Sequence, residues 1–248
     1  MKSILLIILI CMASAVAGAM PFTGKHPDQG KLTIIFDHYV NDKILQFDTV
    51  AYNNELGQSF TVTKFKYYIG NIHLKKANGT ETTYKDYYLV NEEEPSSKTI
   101  NLNHIPTGSY TAIEFMIGVD SVDNCSGAQS GALDPINAMF WAWNTGYIFM
   151  KLEGKAPAST SPGNIFEFHI GGYKPPYSCI RKVLLYFDQP IPLSDTATKE
   201  LHIKTDVAEI LKTPVNIDFS KLSSVTDFHN ATTIADNYMD MFSILSIR

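Results

Sequence analysis

The chain has 248 residues, 45% hydrophobic, 12% aromatic and only 18% charged, with a formal net charge of -5 at pH 7. No basic patch or run occurs, which sets nucleic acid aside as a partner, and the length suits one large β-rich domain or two small ones. Three scattered cysteines without a C-x-x-C pair exclude a thiolate metal cluster.

The first 19 residues, MKSILLIILICMASAVAGA, combine one lysine, an apolar run from Ile4 to Met12, and small residues at Ala15-Val16-Ala17 and Ala17-Gly18-Ala19. That pattern reads as a secretory signal peptide whose apolar run is too short for a stable membrane span. Cys11 invites lipidation, but bulky Ile10 stands where a lipoprotein signal needs a small residue. The expected location is the periplasm, the cell surface or the exterior. Residues 20–30 read as a flexible lead-in, and one domain is expected over residues 31–248.

Alternating apolar residues then dominate. KLTIIFDHYV puts Leu32, Ile34, Phe36, His38 and Val40 on one face of a strand. SFTVTKFKYYIGNIHLKKANGTETTYKDYYLVN reads as strands about a turn at Asn78-Gly79, and KTINLNHIPTGSYTAIEFMIGVD as strands about Pro106-Thr107-Gly108. Asp134 and Pro135 supply an N-cap and a first-turn proline, so a short helix is expected over residues 135–144. GKAPASTSPGN is a loop, and NIFEFHIGGY, CIRKVLLYFDQPI and KELHIKTDV are further strands. VAEILKT is a short helix or turn, and HNATTIADNYMDMFSILSI begins as helix and ends as strand. The turn spacing predicts an all-β fold, a single antiparallel β-sandwich-like domain with short helices.

The chain has no G-x-S-x-G, no H-E-x-x-H and no phosphate-cradling glycine loop, so an enzyme is not expected. A hydrolase using Asp120, Asp134 or Glu167 stays open, because paired carboxylates need no local motif. So does a cell-surface module that grips a glycan or partner with Tyr173 and Tyr177. Strand parity sorts the histidines. His73 and His202 point outward beside lysines, His26 falls in the lead-in, and His104 in a turn next to proline. His38 falls on the apolar face, where the plain reading is a core imidazole satisfied by a carbonyl. His169 lies opposite Phe166, Phe168 and Ile170, and the two glycines after it permit close backbone approach. Imidazoles without thiolates suit copper or zinc, with copper favoured by the affinity series. Cys125 and Cys179 sit in turn-like stretches of an exported chain, so a disulfide worth ~3–4 kcal/mol is expected, against two free thiols.

Both tryptophans, Trp141 and Trp143, fall in MFWAWNTGYIFMKLEG. Together with FTVTKFKYYIGNIHL, FMIGVDSVDNCSGAQSGALDP, FEFHIGG and IADNYMDMF, this segment resembles the MbnP-like proteins over essentially the whole chain after the lead-in. These are exported copper-binding proteins associated with methanobactin systems. The resemblance implies a β-rich domain that binds one copper ion through histidines and a tryptophan oxidised to kynurenine. The expected modifying partner is a diheme peroxidase-type enzyme, and a metal transporter is an expected companion. His169 matches the family's F-x-F-H-x-G motif, and His38 and His229 lie where the family carries histidine. The expected site therefore joins His169, His38 and His229 beside Trp141 or Trp143, with Asp120, Asp134 or Glu167 accepting the second imidazole N–H.

Overall fold

The structure is a computed structural model that describes residues 29–141 and 146–248. The expected leader, Cys11, His26 and Trp143 lie outside the described residues. The chain opens with β1 (Gln29–Val40), β2 (Lys43–Ile44), β3 (Tyr52–Asn53), β4 (Ser59–Lys76) and β5 (Glu81–Asn91). Next come β6 (Thr99–Pro106), β7 (Gly108–Ile117), α1 (Ser121–Cys125), β8 (Phe140–Trp141), β9 (Gly146–Lys155) and β10 (Ile165–Gly171). It closes with β11 (Arg181–Leu193), β12 (Thr198–Asp206), β13 (Ser224–Val225), α2 (Phe228–Tyr238) and β14 (Phe242–Ile247).

The strands form two sheets. The smaller runs β14-β12-β1-β2, with β6 also on β1; the larger runs β11-β7-β4-β9-β10-β13, with β3 and β5 on β4 and β8 on β9. Strand β4 spans the larger sheet because residues 61–67 pair with β9 and residues 69–76 with β7. The sandwich reading holds, but the sheets are mixed rather than purely antiparallel. Strands β1 and β12 run parallel from Lys31↔Thr198 to Tyr39↔Asp206, and β10 and β13 run parallel at Glu167↔Ser224.

Period-2 alternation decides which residues meet between the sheets. Leu32, Ile34, Phe36, His38 and Val40 are all buried, as their parity requires. Phe36 meets Tyr67, Phe115 and Phe242 edge-on at centroid distances of 6.0, 6.1 and 6.0 Å, which ties the two sheets together.

The larger sheet is covered on its other face too. Tyr67 and Tyr68 are neighbours that leave β4 on opposite sides, yet both are fully buried. Tyr68 lies under the excursion between β7 and β9, where its hydroxyl donates to the Ala132 carbonyl at 2.9 Å. The same cover is held by Tyr147, whose hydroxyl lies 2.9 Å from the Leu133 carbonyl, and by Lys151 Nζ, which donates to Ala138 O at 2.7 Å. The helix expected over 135–144 is one 3-10 turn, Pro135–Asn137. Asp134 caps it as expected, but Ala138 adopts φ 57 and ψ 33, which ends the turn and sends the chain into β8.

A candidate tryptophan-bearing cleft beside β10

The edge of this cover, where β8, β9 and β10 meet, forms the candidate site. Trp141 pairs with Gly146 across β8 and β9 and is 8% exposed. The two glycines of FHIGG explain how an indole fits there. A Cβ on Gly171 would stand 2.5 Å from Tyr147 O and 2.7 Å from the Trp141 ring. A Cβ on Gly172, at φ +121, would stand 3.0 Å from Tyr177 O and 3.2 Å from the Phe228 ring. The absent side chains thus let one aromatic from β8 and one from α2 close on the end of β10. Between them lies a cleft of about 470 Å³ lined by Trp141, Tyr147, Tyr173, Lys174, Tyr177 and Phe228.

His169 lies two residues before Gly171, on the side of β10 opposite the buried Phe168 and Ile170. Its cross-strand partner is Lys151, and its Nε2 meets Glu153 Oε1 at 2.8 Å. Burial holds the His169 pKa below 6.5, although the Glu153 hydrogen bond opposes this. Burial pushes the Glu153 carboxyl up, but hydrogen bonds from His169 and Lys64 outweigh it and leave the pKa lowered. The Lys151 ammonium, 8% exposed as a residue, is lowered by burial as well.

His38 belongs to another environment. It leaves β1 between the sheets, 3% exposed, with Nδ1 2.7 Å from Glu92 Oε2 and Nε2 3.0 Å from the Tyr67 hydroxyl. Tyr67 continues to Thr205 Oγ1 at 3.2 Å, and Lys98 Nζ donates to the same Glu92 Oε2 at 2.8 Å. The larger sheet therefore stands between His38 and His169. His38 is a core imidazole, satisfied by a carboxylate and a phenol rather than by a carbonyl. His229 is exposed in the first turn of α2, next to the cleft residue Phe228.

The expected three-imidazole cluster is not assembled. Among the described residues, no group of three or more His, Cys, Asp or Glu side chains could hold a metal ion. The expected supporting carboxylates also serve elsewhere. Asp120 caps α1 by accepting from Val122 N and Asp123 N, and Asp134 caps its 3-10 turn through Ile136 N. Glu167 shares the outer side of β10 with His169, but it is Glu153 that meets the imidazole. Sequence reasoning missed Glu153, although the β9–β10 hairpin held the signal. Its loop sets Lys155 opposite Ile165, and hence Lys151 opposite His169 with Glu153 diagonal to it. Glu92 follows β5 and gives no such local cue.

The disulfide expectation is corrected. Cys125 and Cys179 are free thiols, the first exposed and the second buried. Cys125 Sγ lies 3.2 Å from the Tyr173 hydroxyl. Cys179 lies behind α2, where its carbonyl accepts from the Tyr238 hydroxyl and its thiol is pushed up to about 12 by burial.

Fold and site together define a two-sheet β-sandwich whose larger sheet carries an aromatic cover with a tryptophan at its edge. The MbnP family model matches residues 29–230, and the chain belongs to the MbnP family. Among solved structures it is similar to MbnP from Methylosinus trichosporium, at 15% identity over 77% of this chain and 80% of that one, with a TM-score of 0.48. A search of curated proteins gives no match.

Proposed function

We propose that this member of the MbnP family is an exported copper-binding protein, acting in copper acquisition, storage or delivery rather than as an enzyme. The observation that carries the reading is the seating of Trp141 on Gly171, two residues along β10 from His169. A tryptophan and an imidazole of the family motif thus share one patch of the larger sheet. Among the described residues, His169 lies two residues along β10 from Gly171 and His229 follows the cleft residue Phe228, while His38 is withdrawn from the ligand set. Glu153 would hold the His169 ring in place, as carboxylates do for metal-bound imidazoles. Copper bound there would supply a redox-active centre.

The reading extends to a diheme peroxidase-type partner that converts a tryptophan to kynurenine, whose aromatic amine can serve as a nitrogen ligand. Among the described residues, no helix is long and apolar enough to cross a membrane. The test is production of the protein with and without such an enzyme, followed by intact mass and copper(II) titration. The modified form should be heavier by about 4 Da and bind copper more tightly. Unchanged mass and no saturable copper binding in either form would refute the reading.

A further inference from the structure

We infer that the cleft between Trp141 and Phe228 binds a small, flat organic anion, such as an aromatic carboxylate, with Lys174 as its charge partner. The volume of about 470 Å³ suits a ligand of one or two rings. Five of the lining side chains, Trp141, Tyr147, Tyr173, Tyr177 and Phe228, are aromatic, so planar apolar surface comes from β8, β9, α2 and the loop after β10. Tyr177 and Phe228 remain 46% and 43% exposed although they line a concave surface.

The polar groups of the cleft decide the ligand's charge. The buried Asn124 is already used, because its Nδ2 donates to Val119 O at 2.7 Å and its Oδ1 accepts from Tyr147 N at 3.0 Å. Tyr147 is held by the carbonyls of Gly127 and Leu133, and the Tyr173 hydroxyl meets the Cys125 thiol. A sugar needs a partner for each hydroxyl it buries, and these side chains have few to offer. Lys174 is different. Its ammonium lies 5.4 Å over the Tyr173 ring, and among the described residues no carboxylate is within ion-pair distance of it.

Among the described residues, no acidic side chain lines the cleft. The acids on adjoining elements are engaged elsewhere, Asp123 by the Tyr87 hydroxyl and Asp227 by Asn230 N at the start of α2. A quaternary ammonium would gain the aromatic faces but meet Lys174 with like charge. An anion gains both. The cleft and the copper reading are separable, since neither Lys174 nor Tyr177 is a proposed metal ligand.

The experiment is calorimetric or saturation-transfer binding of 2-naphthoate, the neutral 2-naphthamide, a naphthyl trimethylammonium and methyl glucoside to the metal-free protein. Naphthoate should bind saturably and at least tenfold more tightly than the other three. Lys174→Gln should bring naphthoate to the affinity of the amide and leave the amide unchanged, whereas Lys43→Gln should change neither. Tyr177→Ala, at an exposed position, should weaken naphthoate and the amide several-fold. Copper titration of Lys174→Gln should match wild type, which separates failure of this site from failure of the metal site. Absence of saturable naphthoate binding, equal affinity for any of the other probes, or an undiminished preference in Lys174→Gln would overturn the inference.

Discussion

His38 donates from Nδ1 to Glu92 and accepts at Nε2 from the Tyr67 hydroxyl, which leaves Thr205 to donate to Tyr67. Burial dominates its titration and holds the pKa below 6.5, so the ring is neutral in the folded protein at neutral pH. The sign of the linkage follows. Below pH 6.5 the unfolded chain takes up a proton that the buried ring resists, so stability is full above that pH and falls as pH drops toward the folded value. His169 is shifted the same way and adds to the slope. Urea unfolding at pH 7.5 and 5.5 should show lower stability at the acid value, with a smaller difference in His38→Gln. His38→Ala should cost about 2–4 kcal/mol at neutral pH through the cavity and the two lost hydrogen bonds. An unaltered midpoint would contradict the network. Parity in the sequence placed this histidine on the apolar face correctly. Its partners come from residues 29, 54 and 167 positions away along the chain, beyond the reach of any local pattern.

At the scale of the element, β10 shows why the tryptophan segment and FHIGG belong to one structure. The glycines are gaps that Trp141 and Phe228 occupy. Gly171→Ala should therefore destabilise the protein by about 1–3 kcal/mol and change the tryptophan fluorescence, because the new methyl meets both a carbonyl and an indole. A stable variant with an unaltered spectrum would show that the indole sits elsewhere. The places of the two cysteines oppose a disulfide, with Cys125 exposed at the end of α1 and Cys179 buried in the loop after β10. Iodoacetamide should label exposed Cys125 in the native protein, and Cys179 only after unfolding, since its thiol is buried and pushed up to about 12. Resistance of both to labelling, reversed by reductant, would restore the bridge. From sequence the two cysteines had only turn-like surroundings and an exported setting in their favour. The depth of Cys179 behind α2 depends on a helix that begins about fifty residues later.

Across the whole molecule, alternation made the strands and their buried faces legible, and turn residues located the β4–β5 hairpin at Asn78-Gly79 and, at Thr107-Gly108, the turn where the chain passes from β6 in the smaller sheet to β7 in the larger. The direction of β12 against β1 was not legible, because a strand buries the same alternate residues whether its neighbour runs parallel or antiparallel. The aromatic cover had a cue in Tyr67-Tyr68, two adjacent buried rings that need apolar surroundings on both faces of β4. For the candidate site, the sequence pointed to β10 and the tryptophan segment, and the structure separates His38 from both. Copper(II) titration of wild type, His169→Ala and His38→Gln, each made together with the proposed modifying enzyme, tests this assignment most directly. The account predicts that His169→Ala loses copper affinity by at least about tenfold, the equivalent of ~1.4 kcal/mol, while folded His38→Gln binds like wild type. Equal affinity for wild type and His169→Ala, or loss confined to the His38 variant, would contradict it.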